Sequence, residues 1–137
     1  MTQAAFAGLD HIDVSTIELE RGGDTYSIDT LEALRAARPD DEHWLIVGSD
    51  VAAGLATWHR ADEVRRLARL VIYERLGSVG DRPPMGWPYE LVDVPLLDVS
   101  STGLRARVLS GAPIEGLVPP DVAAIIRERG LYREVAA

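Results

Sequence analysis

Cysteine is absent from this chain of 137 residues, so it has no disulfide framework, no thiolate metal site and no thiol nucleophile. Lysine is absent too: all 14 basic residues are arginine. That excludes a Walker-type phosphate loop with its lysine, and a lysine Schiff base. Any phosphate must therefore be held by arginine, hydroxyls and backbone amides. Long apolar runs are missing, the longest being the five residues Val122 to Ile126 against the roughly 20 a membrane helix needs. Met1 to Leu9 has no basic stretch of the kind that opens a secretory signal. These absences predict a cytoplasmic chain with no membrane association. Positive charge is short as well, with 14 basic against 22 acidic residues and a net charge of −8. Such a balance argues against nucleic acid as a partner, which usually needs a basic face. No Gly-x-Ser-x-Gly elbow occurs, so a hydrolase triad has no nucleophile to start from. His11, His43 and His59 stand far apart, without metal-ligand spacing, and no metal site is expected.

What is present is a globular composition, 47% hydrophobic and 26% charged, in a length that suits a single domain, residues 1–137. His11 to Glu18 alternates Ile12, Val14 and Thr16 and predicts a strand. Arg21-Gly22-Gly23-Asp24 is a turn, Ser27 an N-cap, and Ile28, Leu31, Leu34 and Ala37 give helical spacing up to Arg38-Pro39. Trp44 to Val47 and Leu70 to Tyr73 are short apolar runs, predicted as strands buried on both faces. Between them a short helix and then a helix over Ala61 to Ala68 are expected. Gly77 to Pro88, with three glycines and three prolines, is a loop. Glu90 to Val94 is a further strand and Ser100 to Leu109 a helix. A last helix is opened by Pro119 and Pro120, faced by Val122, Ile125 and Ile126, and stopped by Gly130. Strands alternating with helices predict an α/β fold around a mostly parallel sheet.

In such sheets ligands gather beyond the carboxyl ends of the strands. Two segments fit that place. Ser100-Ser101-Thr102 puts three hydroxyls at a helix start beside free backbone N–H groups, with Arg105 one turn further on. Together these make a phosphate site; ordinary helix capping beside a solvated arginine is the competing account. Gly48-Ser49-Asp50 lets a ligand approach the backbone while Asp50 accepts hydrogen bonds from a ribose, or else it is a plain strand-to-helix turn. Trp58, in Thr57-Trp58-His59, can stack on a planar ring or simply pack half-buried.

Taken in order, the segments Glu20 to Leu31, Ile46 to Asp50, Thr57 to His59, Leu67 to Ile72, Val99 to Arg105, and Leu117 to Pro119 with Gly130 to Tyr132 resemble the bacterial nicotinate-nucleotide adenylyltransferases. The resemblance runs from Glu20 to Tyr132, with the family's order and spacing. It implies a Rossmann-like, doubly wound, mostly parallel sheet. It also implies an enzyme that joins ATP to nicotinate mononucleotide, giving deamido-NAD and pyrophosphate with Mg²⁺. By resemblance, Gly48 and Asp50 would hold the adenosine, and Ser100, Ser101, Thr102 and Arg105 the phosphates of ATP. Trp58 would stack on the nicotinate ring. The Ser27 hydroxyl, often Thr in the family, and the His59 backbone N–H would receive its carboxylate. Leu76 and Ser49 stand where the family often has Pro and Ala.

The family's opening strand, its Gly-Gly-x-Phe-x-Pro loop and its His-x-Gly-His motif are not in these residues, and no catalytic residue is assigned. The resemblance therefore implies the carboxy-terminal portion of a nucleotidyltransferase-type domain, without its first β-α-β unit. The missing His pair would stabilise charge developing on the phosphoryl groups, and one such donor is worth about 10²–10³ in rate. Apolar sheet edges left without neighbours would favour self-association. Two alternatives stand beside the enzyme reading. One is a non-catalytic nucleotide-binding remnant, or a subunit completed by another polypeptide. The other is an adenylyl- or cytidylyltransferase with a different acceptor.

Overall fold

The computed structural model describes residues 1–75, 80–95 and 97–133. The chain divides into two compact units, one running from Thr16 to Leu96, the other made of Met1–Ser15 together with Leu97–Ala137.

In the 16–96 unit, α2 (Ile17–Arg21) and α3 (Ser27–Ala37) lead to β1 (Trp44–Gly48). After β1 come α4 (Ser49–Ala52), a 3-10 turn (Ala53–Thr57), α5 (Ala61–Leu67), β2 (Arg69–Arg75) and β3 (Tyr89–Val94). The strands form a parallel sheet in the order β1-β2-β3, with Ile46 opposite Val71, Gly48 opposite Tyr73 and Ile72 opposite Leu91. Val47, Leu70 and Ile72 turn one face of the sheet onto Ala52 and Leu55. Helix α3 lays Ile28 and Leu31, one turn apart, against Val64 of α5. Ile28, Leu55, Val64 and Ile72 are fully enclosed, each worth about 1.5–3 kcal/mol of apolar burial. Helix α5 suits its own dipole, with Asp62 and Glu63 in the first turn and Arg65 and Arg66 in the last.

Three expectations are corrected here. The predicted strand over His11 to Glu18 does not form: Ile12 is exposed, and Ile17–Arg21 is a helical turn instead. Three alternating positions with no partner strand cannot outweigh Glu18 and Glu20 at a helix start, tied locally by Thr16 donating to Glu20. Gly22, at φ 65°, then ends the turn. Ser27 is not the N-cap of α3 but its first residue; Tyr26 holds the cap position, in extended conformation and without a side-chain cap bond. The apolar runs of β1 and β2 are not buried on both faces. Ile46 is 65% and Trp44 41% exposed, because the helices pack on the face that carries Leu45 and Val47. The loop predicted over Gly77 to Pro88 is irregular from Gly80 to Pro88, while 77–79, like Leu76, lie outside the described residues.

The other unit contains α1 (Thr2–Phe6), α6 (Ser101–Leu109) and α7 (Pro120–Glu128). Its core is Ile114, Val122, Ala123 and Ile126, onto which Ala4, Ala5, Leu104 and Val108 pack. Helix α7 is the amphipathic helix the sequence predicts. Pro120 sits in its first turn, Val122, Ala123 and Ile126 face inward, and Gly130 at φ 59° follows its end. Ile125, expected on the apolar face, is only partly covered. Among the described residues no helix is long and apolar enough to cross a membrane.

Candidate functional site

Gly48 closes β1 at the carboxyl edge of the sheet and hands the chain directly to α4. A Cβ at Gly48 would meet the Asp50 carboxylate and approach the Tyr73 hydroxyl to 3.2 Å, so a side chain here would have to displace one or both. Gly48 is buried while Asp50 is exposed, on the first turn of α4. The turn therefore offers a bare stretch of backbone flanked by one carboxylate and one phenol. Gly80 belongs to the same edge, since a Cβ there would clash with Ser49.

Further along the same unit, the 3-10 turn ends with Thr57 Oγ1 donating to the Gly54 carbonyl at 2.7 Å and the Trp58 N–H to the Leu55 carbonyl at 3.2 Å. Trp58 is partly buried against the Val47, Leu55 and Ile72 cluster, so the packing alternative for this ring is realised, with part of it left open. His59 is exposed, and its backbone N–H has no acceptor among the described residues. Its imidazole lies against the Tyr26 ring, centroids 4.3 Å apart and planes tilted by 30°. That contact brings the start of α3, and hence Ser27, to the Trp58-His59 turn. Thus Ser27, Trp58 and His59, separated by three decades of sequence, share one neighbourhood.

Arg60 follows in left-handed conformation, φ 52° and ψ 44°, which non-glycine residues adopt rarely. Sequence reasoning passed over this residue. Its Nε and Nη2 donate to Glu63 at 2.7 and 2.6 Å, its Nη1 and Nη2 to Glu32 at 3.2 and 2.5 Å, and Asp29 lies 4.0 Å away. The hydrogen bonds to Glu63 and Glu32 raise the Arg60 pKa further, and Arg60 holds the Glu63 carboxyl below the ordinary range. The spacing of Arg60 and Glu63 was legible as a helix-start pair; Glu32 and Asp29 come from another helix and leave no local signal. Tyr26 and Tyr73 were missed for the same reason. So was Glu74, a carboxylate only 6% exposed that accepts from Arg82 and from the Gly80 N–H. Those two donors, Arg82 foremost, hold its pKa down against the opposing effect of burial.

In the other unit, Ser100 caps α6 by accepting the Gly103 N–H at 3.1 Å. For Ser100 the capping account is therefore realised. Ser101, Thr102 and Arg105 are exposed, with Arg105 Nη2 3.5 Å from Thr102 Oγ1. Ser101 and Arg105 also line a cavity of about 350 Å³ whose wall is otherwise largely apolar, including Leu104, Pro119, Val122 and Tyr132. Gly48 and Asp50 thus lie in one unit and the four predicted phosphate ligands in the other. A larger cavity of about 630 Å³ lies at the amino-terminal ends of the strands, between residues such as Arg35, Arg65, Trp87 and Tyr89, and none of the predicted site residues lines it. Its arginines sit mainly in the last turns of α3 and α5, where the helix dipole already accounts for them.

No family model matches the chain. It is 40% identical over 135 residues to a probable nicotinate-nucleotide adenylyltransferase of Saccharopolyspora erythraea, covering 97% of this chain and 63% of that protein. A protein of the same description from Herpetosiphon aurantiacus is 42% identical over 139 residues, covering 96% of this chain and 70% of the relative. The chain thus spans about two thirds of the length of these relatives. Among solved structures it is similar to the Plasmodium falciparum nicotinic acid mononucleotide adenylyltransferase. That protein was solved complexed with APC (TM-score 0.62, 20% identity, 81% of this chain and 60% of that one) and with NaAD (TM-score 0.61, 21% identity, 80% and 58%). At that level of identity the likeness is one of fold: an open parallel sheet with flanking helices.

Proposed function

This chain belongs to the nicotinate-nucleotide adenylyltransferase family, and from that premise we propose that it serves adenylyl transfer from ATP to nicotinate mononucleotide, giving deamido-NAD and pyrophosphate. The observation that carries the reading is the Tyr26–His59 contact, which joins the Ser27 helix start to the Trp58-His59 turn. A planar ring lying on the open part of Trp58 could then offer its carboxylate to the Ser27 hydroxyl and the His59 N–H, which has no acceptor among the described residues. Gly48 and Asp50 take the adenosine, the glycine by bare backbone and the aspartate by accepting from ribose hydroxyls. Ser101, Thr102 and Arg105, with the first-turn N–H groups of α6, hold the triphosphate; Ser100 contributes by capping that helix.

In the reaction a phosphate oxygen of the mononucleotide attacks the α-phosphorus of ATP, and the bond to pyrophosphate breaks. Such transfer depends chiefly on holding the two partners in line and on neutralising developing charge. Magnesium enters as part of the ATP substrate. Among the described residues no group of three or more His, Asp or Glu side chains is gathered to hold a metal ion.

A second reading is binding of both ligands without turnover. Isothermal calorimetry and a pyrophosphate-release assay separate the two. Turnover with ATP, nicotinate mononucleotide and Mg²⁺ establishes the enzyme. Saturable binding of both ligands without turnover supports the second reading, and no heat with either ligand refutes both. A preference for nicotinamide mononucleotide over nicotinate mononucleotide would overturn the assignment of Ser27 and His59.

A further inference from the structure

The geometry points to Arg60 as a positioning residue that fixes the Trp58-His59 turn to helix α3 and so sets the affinity for the nicotinate end of the mononucleotide; this rests on the functional reading above. Three observations combine. Arg60 is the residue immediately after His59, and its left-handed backbone turns the chain into α5, with its carbonyl accepting the Glu63 and Val64 N–H groups at 2.9 and 3.1 Å. Its guanidinium makes four hydrogen bonds to carboxylates. Every nitrogen points at a carboxylate, with Glu63 on α5 and Glu32 on α3 bonded directly and Asp29, also on α3, at 4.0 Å. Finally, α3 is the helix that carries Ser27 at its start and Tyr26 against the His59 ring.

The consequence is a bracket. Ser27 approaches the carboxylate of the nucleotide from α3 and His59 from the turn before α5, and one side chain, next to His59, ties the two helices through Glu32 and Asp29 in the first turns of α3. Arg60 is not itself the cation that binds the nicotinate carboxylate. One positive charge facing three carboxylates leaves a local excess of negative charge, which disfavours a further carboxylate beside it. Its work is done through the backbone it holds. A turn left free to move would lose order on each binding event, which costs affinity for the ligand held there and not for ligands held elsewhere.

The test compares Arg60→Met, Arg60→Lys and Glu32→Gln in the full chain, with affinities for nicotinate mononucleotide and ATP measured separately by calorimetry. Amide hydrogen exchange at Trp58 and Glu63 is measured without ligand. Exposed ion pairs are individually weak, so the combined loss expected for Arg60→Met is about three- to tenfold in mononucleotide affinity, with ATP affinity changed less than about twofold. Glu32→Gln leaves the left-handed turn untouched and shifts mononucleotide affinity the same way. The double variant Arg60→Met/Glu32→Gln is no weaker than Arg60→Met alone, because the two changes cut one connection. Arg60→Lys restores part of the loss, since a point charge can pair with one carboxylate but not fork across two. Trp58 and Glu63 amides exchange faster in Arg60→Met. Wild-type affinity in both Arg60→Met and Glu32→Gln, or equal losses for both ligands, overturns the bracket. A wild-type chain that binds no mononucleotide overturns the functional reading and the binding role together, while unchanged exchange at Trp58 and Glu63 overturns the bracket alone.

Discussion

Replacing Trp58 by leucine separates the two duties of its ring. The side chain is partly buried on the Val47, Leu55 and Ile72 cluster and partly open beside His59. A tryptophan ring partly covered in this way removes on the order of 100 Å² of apolar surface from water, about 2.5 kcal/mol at 25 cal/mol per Å². Leucine keeps more than half of that contact, so the unfolding free energy falls by about 1 kcal/mol. The stacking face is lost outright. Stacking of a flat heterocycle on an aromatic side chain is worth about 1–3 kcal/mol, so mononucleotide affinity falls about 5- to 150-fold. Calorimetric titration with nicotinate mononucleotide and with ATP, alongside thermal unfolding without ligand, reads both effects. ATP affinity should stay within about twofold of wild type. Equal loss of both ligands, or mononucleotide binding untouched by the substitution, refutes the assignment of Trp58 as the stacking platform.

Arg105→Ala should invert that pattern, weakening ATP about tenfold or more by removing a charge-assisted contact and leaving the mononucleotide unaffected; titration of the two ligands checks it. Ile72→Ala empties the fully enclosed centre of β2 and should cost about 2–5 kcal/mol in urea unfolding, with the midpoint moving and the slope constant. Glu74 gives a pH signature. Its folded pKa lies below the ordinary 4.5, so its contribution is complete above that value and is lost as pH falls through the lowered one. Glu74→Gln should therefore flatten the acid side of the stability curve below about pH 5, and an unchanged acid limb in chemical denaturation would refute the ion pair with Arg82 as its source.

Much of this molecule was legible from local sequence. The α3, α5, α6 and α7 helices and the three parallel strands are where spacing and turn residues put them, because each carries its own start or stop: Pro120 and Gly130 around α7, Ser100 before α6. What misled was periodicity without partners. Ile12, Val14 and Thr16 alternate as a strand would, but a strand exists only by pairing, and among the described residues no strand pairs with them. The uniform apolar runs of β1 and β2 could not tell a strand covered on one face from one covered on both; that depends on neighbours, as the exposed Ile46 shows. The residues of the candidate site divide the same way. Gly48, Trp58 and Ser100 announce themselves by type and position. Arg60, Tyr26, Tyr73 and Glu74 acquire meaning only when α3 meets α5 or Gly80 meets Ser49.

The smaller unit is assembled from 1–15 and 97–137, with Ala4 and Ala5 of α1 packed onto the α7 cluster of Ala123 and Ile126. This sets an order for synthesis on the ribosome. Residues 16–96 can bury Ile28, Val64 and Ile72 using only neighbours already made, whereas α1 emerges first and must wait for more than a hundred further residues before its partner exists. The entropic cost of closing so long a loop grows only slowly with its length, but the waiting time does not shrink. Until then Ala4 and Ala5 lack the cluster they pack against in the folded unit, and an unpacked helix of this kind is exposed to off-pathway contacts. Pulse-labelled chains stalled before Val122 should therefore have a protease-resistant 16–96 segment and a freely cleaved 1–15 segment.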